Sequence, residues 1–379
     1  MRLLHTSDWH LGWTLFSVPL IDHQRVFLEW LVSQAEEREI DAVLISGDVF
    51  DRSVPAVESI ALFEWALIEL ARRTTVVLIP GNHDSATRLG FAGPLLESAN
   101  VHVRASIDAV DRPIVVTGEK QSVQIFGIPY LEPTFNADRL ECERTHAGVL
   151  SAAMQRIRQA ALPELPVVVV AHAFVTGGIA SESERDVRVG GVPDAPVSVF
   201  DGAHYVALGH LHRPQEVGTQ NGMQARYSGS PIAYSFSEEG QQKSVVLLEV
   251  NDDEIDATLI PTPQPRPLTT IQGRLDELLS SDAFAAVEQH WIRAVITDGR
   301  RPERPMERLR ERFPHALQLE FAPVSGGINP STRAVDISKL NPIEVVSAFI
   351  EYVSGSEPSA EEVVLLEQAV ERVRLSEVK

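Results

Sequence analysis

The chain has 379 residues, more than one ordinary hydrophobic core holds, so two or three domains are expected. Its 44% hydrophobic and 23% charged residues are those of a soluble globular protein. A formal charge of −20 excludes simple attraction to nucleic acid, unless positive charge is concentrated locally or metals and a partner offset it.

No apolar run is long enough to cross a bilayer, and Met1 to Asp8 lacks a signal peptide's apolar core, so no membrane association is expected. Cys142 is the only cysteine, which excludes a disulfide framework and a thiolate metal site and fits a reducing cytoplasm. Only four of the 33 basic residues are lysines, which reads as a base-composition bias.

In chain order, a first apolar strand at Leu3-Leu4 is followed by Asp8 and His10. Ile21 to Glu39 carries Val26, Trp30, Leu31 and Ala35 at helical spacing. Ala42 to Ser46 is continuously apolar or small, as in a strand buried on both faces of a parallel sheet, and it breaks at Gly47 to deliver Asp48 and then Asp51. A second helix, Pro55 to Arg73, opens with proline near its first turn and closes on two arginines. Val76 to Ile79 leads into Gly81-Asn82-His83-Asp84.

From Ile114 the strands shorten, Val123 to Phe126 among them, before a helix at Ala147 to Ala161 and a strand, Val167 to Ala171, that ends on His172. A glycine-rich, charged loop, Thr176 to Pro196, precedes the strand Tyr205 to Leu208 and its Gly209-His210-Leu211-His212. Strands at Ser244 to Val250 and Ile255 to Ile260 close this unit, expected to span 1–262. Strands alternating with helices indicate an α/β architecture, and ligands of such sheets bind at the carboxyl ends of the strands.

Prolines at 261, 263, 265 and 267 mark a semi-rigid linker. A small α+β domain is expected at 268–322, with helices Leu275 to Leu279 and Met306 to Phe313 and strands Trp291 to Thr297 and Leu317 to Phe321. After a second linker, Ala322 to Leu340, two helices are expected in 341–379. Asn341-Pro342-x-Glu344 and Ser359-x-x-Glu362 are their capping boxes, and Ile343, Val346, Phe349 and Ile350, then Val363, Leu366 and Val370, form apolar stripes.

Five strand ends thus each offer Asp, Asn or His. Oxygen and imidazole donors without sulfur suit Mn²⁺ or Fe²⁺, and less exclusively Zn²⁺ or Mg²⁺. His5, His23, His102, His146, His204, His290 and His315 sit in no such context and read as ordinary surface or core residues.

Asp8-x-His10, Gly47-Asp48-x-x-Asp51, Gly81-Asn82-His83-Asp84, His172 and Gly209-His210-x-His212 resemble, in order, the five motifs of the calcineurin-like metallophosphoesterases. Within that superfamily the chain is similar to the SbcD-type nucleases, through Leu4 to Gly12, the Ser-Glu-Ser-Glu-Arg run at 181–185, Val206 to Gln215 and Ser228 to Ile232. The resemblance implies a β-sandwich flanked by helices, with a small cap and C-terminal helices. It implies two divalent ions, most simply Mn²⁺, one held by Asp8, His10 and His212, the other by Asn82, His172 and His210, with Asp48 bridging. It casts His83 as the residue that meets the phosphate and protonates the leaving oxygen, while Asp51 or Asp84 could orient histidines or simply brace a turn.

The activity so implied is a DNA nuclease, exonuclease on double-stranded ends and endonuclease on single-stranded or hairpin DNA, acting on the nucleoid with the ATPase SbcC. No phosphate-binding P-loop occurs in this chain, so ATP would bind the partner. The alternatives are a small-substrate phosphatase or phosphodiesterase on the same core, and a non-enzymatic role in bridging DNA ends. A homodimer is expected through Pro55 to Arg73, whose Ile60, Leu62, Phe63, Trp65, Leu67, Ile68 and Leu70 leave only a narrow stripe of Glu58, Glu64 and Glu69. Arg300, Arg301 and Arg304 are candidate phosphate contacts in a locally basic stretch, and the C-terminal helices are expected to grip the partner's coiled coil.

Overall fold

The computed structural model describes residues 1–184, 195–220, 222–251, 254–322, 341–354 and 358–377. They fall into two units, Met1–Thr269 and Thr270–Lys379. The first unit begins with β1 (Arg2–Thr6), a small hairpin of β2 (Thr14–Leu15) and β3 (Val18–Pro19), α1 (Ile21–Glu37) and β4 (Ala42–Ser46). It continues with α2 (Val57–Ala71), β5 (Thr75–Ile79), the short α3 (Ala86–Leu89) and α4 (Gly93–Leu96), β6 (Val101–Val103), β7 (Ile114–Thr117) and β8 (Ser122–Ile128). Then come α5 (Pro133–Leu140), α6 (His146–Ala160), β9 (Val167–His172), β10 (Tyr205–Gly209), β11 (Gln215–Gln220), β12 (Met223–Tyr227), β13 (Ser244–Asn251) and β14 (Glu254–Pro261).

Twelve of these strands form two six-stranded sheets, ordered β14-β13-β1-β4-β5-β6 and β11-β12-β10-β9-β8-β7. The strands β1, β4, β5 and β6 are parallel in one sheet, as are β8, β9, β10 and β12 in the other. Antiparallel partners flank both sets. The continuous apolar runs are explained by residue parity. Leu4, Val43, Ile45, Val76 and Leu78 pack with α1 and α2, whereas Leu3, Ala42, Leu44, Val77 and Ile79 meet Val168, Val170, Tyr205 and Ala207 of the other sheet. Val169, Ala171, Val206 and Leu208 turn outward onto α6. The result is a β-sandwich covered by helices on both outer faces.

Several local expectations shift. The first helix ends at Glu37 rather than Glu39, and Val26 is 41% exposed. Its buried face is Phe27, Leu28, Leu31, Val32 and Ala35, one residue round from the stripe read through Val26. The second helix starts at Val57, so Pro55 precedes it, while Arg72 and Arg73 both pair with Glu69 at its end. Among the described residues no helix is long and apolar enough to cross a membrane.

In the second unit a three-stranded sheet orders β15 (Leu268–Gly273), β16 (Trp291–Ile296) and β17 (Ala316–Phe321), with α7 (Leu275–Ser280) and α8 (Pro305–Arg312). Ile271, Leu275, Leu278, Ile292, Leu309 and Phe313 share its core. The strand β15 was missed in the sequence because its outer residues, Thr269, Thr270 and Gln272, are polar and it directly follows the proline run. Beyond it lie α9 (Pro342–Ser354) and α10 (Ala360–Glu377). Asn341 Oδ1 accepts the N–H groups of Ile343 and Glu344 at 2.9 Å, and Glu344 accepts the Asn341 N–H at 2.8 Å. Ser359 and Glu362 repeat the exchange at α10. The linker read at 322–340 lies, past Ala322, outside the described residues, as do Arg185 of the 181–185 run and much of the 176–196 loop.

The buried face of α1 is directly testable. Phe27→Ala is expected to cost about 3–5 kcal/mol by denaturant unfolding, whereas Val26→Lys should stay within about 0.5 kcal/mol. Equal losses would put the helix in the other register.

Candidate metal centre

Each motif residue leaves its sheet at the carboxyl end of a parallel strand. Two backbone bridges fix the first loops together: the Asp8 N–H donates to Gly47 O at 3.0 Å and the His10 N–H to Asp48 O at 2.9 Å. Gln24, buried on α1, donates to the carbonyls of Trp9 and His10 and accepts the Gly12 N–H. The first of those carbonyls also accepts the Tyr234 hydroxyl. The other sheet joins through His172, whose Nδ1–H donates to Ser46 O at 2.8 Å.

Three overlapping groups of buried donors result: Asp8, His10 and His212; His10, Asp48 and His83; Asp48, His172 and His210. Asp48 stands between the outer two. Its Oδ2 lies 3.7 Å from His10 Nε2 and 3.5 Å from His172 Nε2, while Oδ1 accepts the His83 N–H at 2.8 Å. A single oxygen, Oδ2, thus faces both sides. Asn82 Oδ1 lies 2.9 Å from His172 Nε2 and 3.2 Å from His210 Nδ1. Because the one proton of His172 is on Nδ1, its bare Nε2 faces another acceptor, an arrangement that a cation between them resolves. His10 Nε2 and His212 Nε2 approach to 3.0 Å on the other side.

Burial, helped by the neighbouring histidines, holds the His10 and His210 imidazoles well below the usual histidine range, so both rings are neutral at pH 7. Burial lowers His172 as well and raises Asp8 to about 6. In His212 burial opposes the charged form, but the Glu238 carboxylate outweighs it and raises the pKa. Glu238 itself is pushed up by burial, yet the Lys243 ammonium and the His212 ring bring it down to about 2. The donor set of oxygen and imidazole nitrogen, in two groups sharing one carboxylate, fits a binuclear divalent metal site.

All seven candidate ligands and His83 come together in the first unit. His83 Nδ1 donates to the Asp51 carbonyl at 2.7 Å, with the Asp51 carboxylate 4.0 Å away and His83 Nε2 4.0 Å from Asp48 Oδ2. Asp51 therefore orients His83 through its backbone. Asp84 accepts the N–H groups of Val49, Phe50 and Gly81 at 2.9–3.0 Å and braces the turn behind Asp48. Its carboxylate thus ties the loop after β4 to the loop after β5. In the second unit Arg301 lies over the Phe321 ring at 4.5 Å and Arg304 pairs with Glu307 at 3.4 Å. His5, given no role in the sequence, is fully buried between the sheets on Tyr205 and Leu208 O, with burial lowering its pKa to about 3.

With this geometry in place, the comparisons with known proteins decide the family. The model for calcineurin-like phosphoesterases matches residues 1–214. The chain belongs to that family. A second model, described as the type 5 capsule protein repressor C-terminal domain and belonging to SbcD, matches residues 264–354, and the tandem is that of an SbcD-type chain. Solved structures of similar fold include TT1561 of Thermus thermophilus, at 14% identity over 68% of this chain and 98% of that one, with a TM-score of 0.41. GAP50, the inner-membrane-complex anchor of Plasmodium, matches at 12% over 69% and 84% with a TM-score of 0.42. A dimetal phosphatase of Danio rerio matches at 11% over 70% and 97%, with a TM-score of 0.40.

Sequence reasoning passed over Gln24, Ser183, Glu184, Glu238 and Lys243. The only sign of them was the 181–185 run, noted as part of a resemblance, and a lysine opening an apolar strand in a chain with four lysines.

Proposed function

We propose that this phosphoesterase is a Mn²⁺-dependent DNA nuclease that works as the nuclease subunit of an SbcC-type ATPase, cutting double-stranded ends as an exonuclease and single-stranded or hairpin DNA as an endonuclease. The observation that carries the chemistry is the convergence of six donors around Asp48, with His83 beside them. Asp8, His10 and His212 would hold one ion and Asn82, His172 and His210 the other, with Asp48 between. Two such ions supply an activated water and neutralise charge on a phosphodiester during in-line attack. The chain's own residues do the rest. Buried neutral imidazoles keep their lone pairs available, and Asp48 fixes the spacing. His83, held at Nδ1 by Asp51, presents Nε2 to the cluster, where a bound phosphate anion favours its protonated form and a proton can pass to the leaving oxygen. The cap at 268–322, matched by the SbcD model and superfluous for a small ester, favours DNA over the phosphatase alternative.

Asp48→Ala is expected to abolish Mn²⁺-dependent cleavage of linear duplex and single-stranded DNA and to remove at least one bound Mn²⁺. His83→Gln should lower kcat by about 10²–10⁴-fold and keep wild-type metal content. Equal metal loss in both variants would reassign His83 as a ligand, and rapid turnover of p-nitrophenyl esters with none of DNA would favour the small-substrate reading.

A homodimer is the second part of the proposal. Ile60 and Ile68 of α2 are 46% and 47% exposed and, with Phe91, border an apolar groove of about 450 Å³. A second copy covering this face explains why α2 is apolar on more than its sheet-facing side. Light scattering at micromolar concentration should give twice the chain mass, falling to the monomer in Ile60→Glu/Ile68→Glu; a monomeric wild type would remove the claim.

The third part concerns α9 and α10. Phe349 of the first stripe is exposed, as are Val364 and Leu365 beside the second, on capped helices that would be marginal alone, and such apolar surface suits the base of a partner coiled coil. Deleting everything after residue 340 should preserve cleavage of single-stranded DNA and abolish co-purification with SbcC. Retention at normal yield would sink the assignment.

A further inference from the structure

Lys243 and Glu238 form an ion pair with both side chains fully buried, well past His212 in sequence. Such a pair is seldom the most stable filling of its space, since apolar residues of similar volume serve as well or better. Stability therefore gives no reason for it, and its contacts supply another. Lys243 uses all three of its protons: on Glu238, on the His212 carbonyl at 2.8 Å and on Ser230 Oγ at 3.0 Å. The ionised Glu238 can only accept, so the single hydroxyl proton of Ser183 goes to Glu238 Oε1. Ser183 Oγ, 2.7 Å from His212 Nδ1, must then accept the proton carried on that nitrogen. Its remaining neighbour is Ser181 Oγ at 2.9 Å. Glu184 takes the His212 backbone N–H at 2.7 Å, so ring and backbone of this one histidine are both fixed.

We infer that Ser183, Glu238 and Lys243 are positioning residues, a relay that commits His212 to its Nδ1–H form and so reserves Nε2 for one of the two metal positions. The inference rests on the two-ion reading above and assigns the relay to one position only. The other has a different support: His172 is fixed by the Ser46 backbone carbonyl, which no side-chain change removes. The two positions should accordingly respond differently to the same substitution. The Ser-Glu-Ser-Glu run at 181–184 acquires a function thereby, as the segment that carries the acceptors for His212.

The experiment is a Mn²⁺ titration of the full chain, followed by the electron paramagnetic resonance of free ion. Wild type should bind two ions. Ser183→Ala should weaken one of them by about 10–100-fold and leave the other unchanged, with the melting temperature of the metal-free protein close to wild type. Ser183→Thr, which keeps the hydroxyl, should restore the lost affinity. Glu238→Gln/Lys243→Met, which removes both charges together, should weaken the same position as Ser183→Ala. Unchanged affinities in Ser183→Ala, or equal loss at both positions, would overturn the relay while leaving two ions in place. A wild type that binds fewer than two would instead refute the reading on which it rests.

Discussion

A close approach between the two sheets holds the candidate metal centre together. At the carboxyl ends of β4, β9 and β10, Ser46 O receives the His172 ring, and a Cβ added to Gly209 would sit 1.9 Å from that same oxygen. A Cβ on Gly81 would fall 2.2 Å from Asp48 Oδ1. No side chain fits at either position, because real carbon and oxygen atoms do not approach so closely. Polar links between the sheets at this end are Ser46 Oγ donating to Ala207 O and His5 against Leu208 O, while at the opposite end Gln121 and Gln224 donate to the Val250 and Ile255 carbonyls. The sheets are thus tied to each other at the same end where the candidate ligands emerge. A shift there would separate the donor groups before it disturbed the apolar packing.

The backbone carries a second cost at this place. Asp8, His10, Asp48 and His210 all have positive φ, at 55°, 43°, 49° and 112°. Left-handed conformations are unfavourable for side-chain-bearing residues, by an order of about 1 kcal/mol or more each. They persist because neighbours over-determine them. Gln24 holds the carbonyls of Trp9 and His10, three N–H bonds to Asp84 hold the turn after Asp48, and Asp8 accepts the His210 N–H. These braces act on the loops, so the donors are placed before any ion arrives.

This division explains what the sequence disclosed. Buried parallel strands read as apolar runs, so Ala42–Ser46, Thr75–Ile79 and Val167–His172 were visible, and with them the polar residues at their ends. A run apolar on both faces has no period, however, so nothing in it tells which residues face helices and which face a second sheet. The same ambiguity misplaced the stripe of α1: Val26, Phe27 and Leu28 are consecutive apolar residues, and only packing shows that Val26 faces out. Asp84 was ambiguous because a carboxylate next to a histidine suits either a ring or a turn, and the three N–H groups it accepts come from two different loops. Glu238 and Lys243 were invisible for a stronger reason. Charged residues near the end of a loop read as solvated, and their burial depends on His212, far away in the chain.

The two halves of the site are unlike in charge. Asp8 adds a carboxylate to the side with His10 and His212, whereas Asn82, His172 and His210 offer only neutral donors, leaving Asp48 as the sole anion both sides share. An ion held on the first side would have more of its charge compensated by these residues, and one held on the second would keep more of it for an incoming oxygen anion. The supports differ in the same sense. On the first side they are side chains, Ser7 on Asp8 and the Ser183–Glu238–Lys243 chain on His212; on the second, His172 leans on a main-chain carbonyl. With the Asp8 carboxylate added to that of Asp48, the first side would hold a cation the more strongly, while the Glu238–Lys243 pair behind it carries no net charge. A cation on the barer second side would be the better placed to engage a phosphate, because attraction not spent on the protein would remain for the substrate.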